Sequence, residues 1–266
     1  MAKWDERLKM AEKKGALKSK GVVPPVADCG DTAVRSLDAL RSGTTKSVNA
    51  ALLERLRGDL VTGEIPAGAK LKIPEICERY GVSPGAAREA LSRLVPEGLV
   101  DFIDQRGFRA PPVTAAGLQD ITRVRLLIER EALIDAMRHG DEAWESEILA
   151  AQHRLLRCDR ATTIPYGSEP AEWTARHKEF HQALIAACTS PWLIRMHNML
   201  YDQTERYRAI SARAGVTTPG PKRDVKGEHS RIADAVIARD EAKAIALMED
   251  HLARTAERVL AIYADQ

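Results

Sequence analysis

The chain has 266 residues, 44% of them apolar and 29% charged, which is usual for a soluble globular protein large enough for two domains. The formal net charge of +2 does not by itself indicate a nucleic-acid or membrane partner, so any basic surface has to be local. No apolar run approaches the ~18 residues of a membrane span, and the four cysteines form no CxxC pair and follow no signal peptide. We therefore expect a cytoplasmic protein with free thiols and no membrane partner.

Residues 1–43 contain nine Lys or Arg and six Asp or Glu, and they show little hydrophobic periodicity. We interpret this stretch as a flexible basic N-terminal extension that can hold DNA phosphates loosely. A solvated tail without a function of its own is the alternative interpretation.

A helical pattern begins at Thr44, in "TTKSVNAALLERLRGDLVTG", and ends at Gly63. Its apolar residues recur at every fourth position: Val48, Leu52, Leu56 and Leu60. The segment "EIPAGAKL" is then interpreted as a turn, "KIPEICERY" as a short helix and "GVSPG" as a tight break. Ser83 can cap the next helix, "PGAAREALSRL", and Pro84 suits its first position.

Helix, short turn with glycine, and helix together are typical of a DNA-reading unit, whose second helix enters the major groove. The following segment, "GLVDFIDQRGFRAPPV", predicts two short strands around Asp104 to Gly107. Residues 44–113 are therefore predicted to form a winged helix-turn-helix domain.

From residue 114 to 266 the periodicity is helical throughout, so we predict a mainly α protein with an all-helical bundle as its second domain. The predicted helices cover about residues 115–139, 141–159, 170–188, 192–213, 225–239 and 240–263.

The segment "HKEFH" places His177 and His181 four residues apart, so that both imidazoles lie on one helix face and can reach a single ion. The same spacing occurs in metal-dependent hydrolases, which need a glutamate directly after the first histidine as general base. Lys178 occupies that position here, and Glu179 lies on another face. We therefore expect no enzyme. A hydrolase using this helix and a structural helical adaptor are the alternatives to a DNA-binding protein.

The segment "LKIPEICERYGVSPGAAREALSRLVPEGLV", followed by "QRGF", resembles the amino-terminal domain of the GntR family of bacterial transcription regulators. The segments "VRLLIEREAL", "FHQALIAACTSPWL", "EHSRIADAVIARD" and "MEDHL" resemble the helical effector-binding (FCD) domain of its FadR subfamily, within a CsiR-like branch. The resemblance implies a homodimer held mainly by its helical domain. It also implies binding to double-stranded operator DNA with two half-sites and, in most members, repression that is released by a small carboxylate metabolite.

The resemblance assigns Ser83, Gly85, Arg88 and Arg93 to the DNA-facing part of the recognition helix. The two arginines match positions where the family uses arginine toward DNA, and a planar guanidinium suits guanine edges or phosphate oxygens. Many relatives have arginine directly after the serine. Here Pro84 stands there, so the preferred bases can differ.

Arg106 and Gly107 fall at the tip of the predicted wing, where glycine lets the backbone approach DNA closely. Lys72 and Arg79 are assigned to phosphate contacts. Residues 44–113 contain ten basic and nine acidic residues, so this domain has almost no net charge. A positive surface that attracts DNA therefore has to come from where the basic residues are placed.

In the resemblance, His181, His229 and His251 match the three metal-binding histidines of the family, and His177 replaces its usual aspartate or asparagine. Imidazole ligands favour zinc or nickel, so a divalent transition metal is the expected cofactor. With four ligands in a tetrahedron the ion would be structural, whereas an octahedral ion would keep two positions for a carboxylate.

Arg125 corresponds to an arginine that often faces the effector cavity in the family, and a buried arginine can bind a carboxylate through two hydrogen bonds. A simple helix ion pair with Glu129, one turn further on, is the alternative. The remaining histidines, His139, His153 and His197, match no ligand position and receive no role beyond surface or pocket lining.

Overall fold

A computed structural model describes residues 45–158, 171–213 and 223–264. The basic extension predicted for residues 1–43 lies outside them. Within the described residues, three helices and a small sheet come first and six helices follow, so the predicted mainly α architecture is confirmed.

The first group is a winged helix-turn-helix. Its elements in chain order are α1 (Thr45–Val61), β1 (Lys70–Leu71), α2 (Ile73–Tyr80), α3 (Pro84–Leu94), β2 (Asp101–Ile103) and β3 (Gly107–Arg109). Three of the four residues in the apolar stripe predicted for α1 are buried, since Leu52, Leu56 and Leu60 are fully inaccessible to solvent, while Val48 is half-buried. This stripe packs against α3, which orients the opposite side of α3 outward.

The sheet contains one strand that the sequence interpretation missed. Lys70 and Leu71, assigned to a turn, form β1 and pair antiparallel with β3, opposite Arg109 and Phe108 respectively. The strand order is therefore β1-β3-β2. A strand of two residues is too short for an alternating pattern to appear, so only its partner strand defines it.

The second group is the helical bundle, formed by α4 (Ala115–His139), α5 (Glu142–Arg157), α6 (Ala171–Leu184), α7 (Pro191–Arg213), α8 (Val225–Ile237) and α9 (Glu241–Ala264). The predicted helix over residues 170–188 ends early, because the amides of Ile185 and Ala186 bond to carbonyls three residues back and tighten the last turn. None of the helices in the described ranges is long and apolar enough to cross a membrane.

The two groups have separate hydrophobic cores, one between α1, α2, α3 and the sheet and one inside the bundle. Helix α7 connects them, since it packs on α4 within the bundle and on α1 of the winged domain. The Gln203 amide donates to the Glu97 carbonyl at 2.8 Å, and the buried Arg206 guanidinium donates to the Pro111 carbonyl. Helix α7 is therefore in contact with both domains.

Candidate metal centre and DNA-binding surface

The four histidines predicted as metal ligands come together in the bundle. His177 and His181 project from α6, His229 from α8 and His251 from α9, and each offers a ring nitrogen within 4.8 Å of the others. All four are at most 7% exposed. We call these four residues the histidine cluster.

The spacing within the histidine cluster suits metal binding. The Nε2 atoms of His177 and His181 are 3.2 Å apart. Metal–nitrogen bonds of about 2.0–2.1 Å place neighbouring ligand atoms about 2.9–3.3 Å apart, from octahedral to tetrahedral geometry. The His181 Nδ1 atom, buried on the other side of its ring, has no hydrogen-bond partner among the described residues. The donor set therefore fits an ion such as zinc or nickel.

Two of the histidines are oriented by side chains that contact the ring nitrogen facing away from the cluster. The sequence interpretation did not single out either side chain. The Tyr201 hydroxyl lies 2.6 Å from His177 Nδ1, and a Glu228 carboxylate oxygen lies 2.9 Å from His251 Nδ1. With Nδ1 engaged, each ring directs Nε2 toward the cluster. Outer contacts of this kind fix ligand rings and tautomers at metal sites.

Burial disfavours the charged form of three histidines in the cluster. Desolvation, followed by repulsion from the neighbouring histidines, lowers the pKa of His177 and His181 well below the ordinary imidazole value. Burial also lowers the pKa of His251, although its bond to Glu228 opposes the shift. Neutral imidazoles have the lone pair that a metal ion requires.

Arg125 forms the ion pair with Glu129 and also lines the cavity, and its role toward an effector stays a prediction. It is 5% exposed, its Nε donates to Glu129 at 3.0 Å, and its side chain lines the cavity beside the histidine cluster. His197, which had no predicted role, is fully buried and lies 3.1 Å from the other Glu129 oxygen. Burial disfavours the Glu129 carboxylate, but His197 and Arg125 outweigh this and hold its pKa at about 2.

The cavity continues from the histidine cluster along α7. Besides Arg125 and three of the histidines, it is lined by polar and aromatic side chains that sequence reasoning missed: Trp173, Tyr201, Thr204, Glu205, Arg208 and Arg223. Four of these follow the i, i+3, i+4, i+7 spacing of one helix face on α7. The sequence shows that these four residues share one helix face. It does not show that this face points into the protein, because that depends on how the helices pack.

The arrangement lacks the general base of a hydrolase. Lys178 follows the first histidine and pairs with Asp202 at 2.5 Å. Glu179 pairs with Arg154 at 2.7 Å and with Arg176 at 2.9 Å, away from the cluster.

On the winged domain, α3 presents the predicted recognition surface. Ser83 caps this helix, since its hydroxyl accepts from the Ala86 amide at 3.3 Å. Arg88 and Arg93 are exposed, and Arg93 lies 3.9 Å from Glu89. The Arg88 side chain has no ion pair with any residue that the structure describes. Gly85, at the start of the helix, is exposed beside them.

The wing turn brings Arg106 to an exposed tip, and Gly107 after it has the positive φ of +77° that favours glycine. The two residues assigned to phosphates also have partners inside the protein. Lys72 pairs with the exposed Glu75 at 2.7 Å, and Arg79 pairs with Asp59 of α1 at 3.2 Å.

Comparison with known proteins decides the family. The model described as "Bacterial regulatory proteins, gntR family" matches residues 49–109, and the "FCD domain" model matches residues 120–254. This chain belongs to the GntR family of bacterial regulators. Both matched ranges lie inside the predicted domain boundaries.

Curated relatives agree with this assignment. The HTH-type transcriptional regulator BphR of Paraburkholderia xenovorans is 35% identical over 84% of this chain and 89% of its own length. The HTH-type transcriptional repressor GlaR of Escherichia coli is 34% identical over 74% of this chain and 89% of its own length. The chain is therefore a DNA-binding transcriptional regulator and not an enzyme.

Solved structures share the fold. E. coli McbR/YncC superimposes with a TM-score of 0.66 at 19% identity, covering 80% of this chain and 96% of its own. A GntR regulator from Rhodococcus sp. RHA1 has a TM-score of 0.62 at 20% identity, and the match covers 80% of this chain and 98% of its own. At this identity the likeness concerns the fold alone.

Proposed function

We propose that this GntR-family regulator is a repressor that leaves its operator when a small carboxylate metabolite binds at or near a divalent metal ion in the FCD domain. The observation that carries the proposal is the buried histidine cluster beside Arg125, in a cavity lined by the helix that contacts the winged domain. GlaR, a relative covering three quarters of this chain, is named a repressor.

In this proposal the exposed edge of α3 and the wing contact DNA. The residues involved are Ser83, Gly85, Arg88, Arg93, Arg106 and Gly107, with Lys72 and Arg79 at phosphates. Arg88 is the leading base-reading candidate, because its exposed guanidinium has no ion pair to give up among the described residues. Arg79 contributes less in this role, since it already binds Asp59.

His177, His181, His229 and His251 would hold the metal ion, most suitably zinc or nickel. A bound ion supplies positive charge and ligand positions for a carboxylate, provided that its geometry leaves positions open. Arg125 stands beside the cluster as a second cationic group for the same carboxylate.

Helix α7 offers a physical route between effector and DNA. Thr204, Glu205 and Arg208 face the cavity, whereas Gln203 and Arg206 bond to the winged domain from the opposite side of the helix. An effector that binds one position of α7 better than another would shift the winged domain, and operator DNA would weaken effector binding by the same factor.

We also propose a homodimer, because each chain has a single recognition helix and an operator with two half-sites needs two. Val124 and Leu127 of α4 support this assembly: they lie one turn apart on the bundle surface and are 37% and 44% exposed. Two exposed apolar side chains on one helix face are suited to contact with a second chain.

The test is elemental analysis of protein purified without a chelator or histidine tag, combined with titration of the flanking promoter DNA. We expect close to one equivalent of transition metal per chain. His181→Ala and His229→Ala should lose it, while His153→Ala, an exposed histidine on α5, should not. Wild-type protein that contains less than about a tenth of an equivalent and takes up none on addition would refute the metal site, and failure to bind the promoter would refute the repressor.

A further inference from the structure

Helices α4 and α7 lie side by side and run in opposite directions. Near the end of α4, Asp135 accepts a hydrogen bond from the Thr189 amide just before α7 begins. Roughly two turns earlier on α4, Glu129 lies 3.1 Å from His197, which is roughly two turns further along the chain than Thr189. Both helices line the histidine cavity with one side. Their opposite sides therefore belong to one outer surface of the bundle.

The outer side of α7 is covered at one end and open at the other. Alternating steps of four and three residues keep side chains on one helix face, and they connect Trp192, Met196, Met199, Gln203 and Arg206. Gln203 and Arg206 bond to the winged domain. Trp192 is 67% exposed, and Met196 and Met199 are half-buried. Among the described residues, the first two turns of this stripe therefore lack the cover that the winged domain gives to the rest.

The outer side of α4 has a stripe with the same spacing, formed by Val124, Leu127, Glu131 and Ile134. Val124 is 37% exposed, Leu127 is 44% exposed and Ile134 is half-buried. Three of the five large apolar side chains that are exposed in the described part of the chain belong to the two stripes: Val124, Leu127 and Trp192. We call the combined surface the α4–α7 face, and its residues are Val124, Leu127, Glu131, Ile134, Trp192, Arg195, Met196 and Met199.

The α4–α7 face has the dimensions of an interface core. Between Val124 and Ile134, α4 rises about 15 Å, and two packed helices are together roughly 20 Å wide. These dimensions give roughly 300 Å², the size at which an exposed apolar patch marks a contact site. With a polar rim, such a core suits the roughly 800 Å² that each partner buries in a stable complex.

Two charged side chains on this face have little to bind within their own chain. Glu131 is 63% exposed, and the cation that the structure places near it is its neighbour Arg130 at 3.9 Å. The exposed Arg195 lies over the Trp192 ring at 5.4 Å and has no carboxylate partner among the described residues. The face therefore offers one acid and one base to a partner.

A second copy of the chain satisfies both charges. In a two-fold dimer the contacts are reciprocal, so one acid and one base on a shared face form two ion pairs. We infer that two chains associate through the α4–α7 face, with Glu131 opposite the partner subunit's Arg195 and Trp192 buried against the partner's apolar stripe. This inference rests on the homodimer of the proposed function, because it names the surface and the ion pair that join the two chains.

Charge reversal tests the ion pair, with the dissociation constant of the full-length dimer measured by analytical ultracentrifugation. Glu131→Arg and Arg195→Glu each place like charges opposite one another twice per dimer, and each should weaken association about tenfold or more. The double variant restores opposite charges and should return to within about threefold of the wild type. Arg231→Glu, which reverses an exposed arginine of α8, is the matched control and should leave association unchanged.

Trp192 tests the apolar part of the face. Trp192→Asp should give monomers at micromolar concentration, whereas Trp192→Phe, which retains an aromatic ring, should remain a dimer. Because Trp192 is exposed in the single chain, neither change should unfold it. Circular dichroism establishes that every variant is folded, and the promoter titration is repeated on the same preparations.

The outcomes separate this inference from the proposed function. A wild-type dimer that neither the charge reversals nor Trp192→Asp weaken would overturn the α4–α7 face and leave a homodimeric regulator in place. Single reversals that weaken the dimer without recovery in the double variant would overturn the ion pair. Faster hydrogen exchange in the winged domain of Trp192→Asp, with the dimer intact, would assign the face to the chain's own winged domain. A wild-type monomer, with and without DNA, would overturn the homodimer itself.

Discussion

His177 has contacts on both nitrogens of its ring. Its Nδ1 lies 2.6 Å from the Tyr201 hydroxyl and its Nε2 lies 3.2 Å from His181. If the hydroxyl donates to Nδ1, the ring proton is on Nε2, where it can be donated to His181. A metal ion at Nε2 requires the other tautomer, in which Nδ1–H donates to the hydroxyl. Tyr201 can serve both states, because a hydroxyl is donor and acceptor.

The first prediction concerns this tyrosine. Tyr201→Phe removes the hydroxyl and retains the ring that packs against His177. We expect metal affinity to fall by about tenfold or more, as for other outer contacts of metal ligands, with the fold retained. Competition with a chelator of known affinity measures the effect. Affinity equal to the wild type would remove Tyr201 from the metal site.

The second prediction concerns stability against pH in metal-free protein. Burial lowers the pKa of His177, His181 and His251 below the ordinary value of 6.5. As the pH falls below 6.5, the unfolded chain binds protons that the folded protein does not. The free energy of unfolding is therefore highest above pH 6.5 and decreases as the pH is lowered. Each histidine can contribute up to about 1.4 kcal/mol per pH unit.

Urea unfolding of chelator-treated protein between pH 7.5 and 5.5 measures this slope. His181→Gln should make it shallower, because one of the three groups no longer titrates. Equal slopes in the wild type and in His181→Gln would show that this histidine is not buried as described.

The third prediction concerns DNA reading by Arg88. Arg88→Ala should cost about 1–3 kcal/mol of operator binding if the guanidinium reads a base, while nonspecific binding changes little. Titration of operator and scrambled DNA at the same salt concentration measures both. Arg123→Ala, on the helical domain, is the matched control. A uniform loss on both DNAs would reassign Arg88 to a phosphate.

At the scale of the secondary-structure elements, helix α7 makes different contacts on two opposite faces. Tyr201, Thr204 and Arg208 line the cavity, and they recur with the helical period. Gln203 and Arg206 fall between them in sequence and therefore point to the opposite side, where they bond to the winged domain. One helix thus lines the cavity on one face and bonds to the winged domain on the other.

The fourth prediction follows from this arrangement. Gln203→Ala removes the 2.8 Å bond to the Glu97 carbonyl, at a cost of about 0.5–1.5 kcal/mol, and should speed hydrogen exchange in the winged domain around Gly98 while metal content is unchanged. Gln182→Ala is the matched control, because it removes a 2.8 Å bond to Asn198 inside the bundle. Similar exchange patterns in both variants would contradict a special role for Gln203.

At the scale of the molecule, the open point is how two chains assemble. We predict a dimer by light scattering, and Leu127→Glu should shift it to monomer because a charge would replace an apolar contact. Leu149→Glu, which alters a 50% exposed leucine of α5, should leave the dimer intact. A wild-type monomer at micromolar concentration, with and without DNA, would rule out the dimer.

Much of this molecule was predictable from local patterns. The leucines of α1 recur with the helical period and are buried, and Ser83 followed by Pro84 predicted the start of α3, because capping depends on neighbours in sequence. The four-residue spacing placed His177 and His181 on one face for the same reason. A resemblance to GntR-family motifs, confirmed by comparison, was needed to connect them with the two later histidines.

The tertiary structure alone decided what surrounds the histidine cluster. Tyr201 lies on a different helix from His177, and Glu228 on a different helix from His251, so each contact depends on how helices pack and not on any sequence spacing. The same holds for β1, whose two residues are a strand only because β3 pairs with them. Local periodicity determines which residues form helices. The neighbours that set charge and orientation in a buried site come from distant parts of the chain, and only packing brings them together.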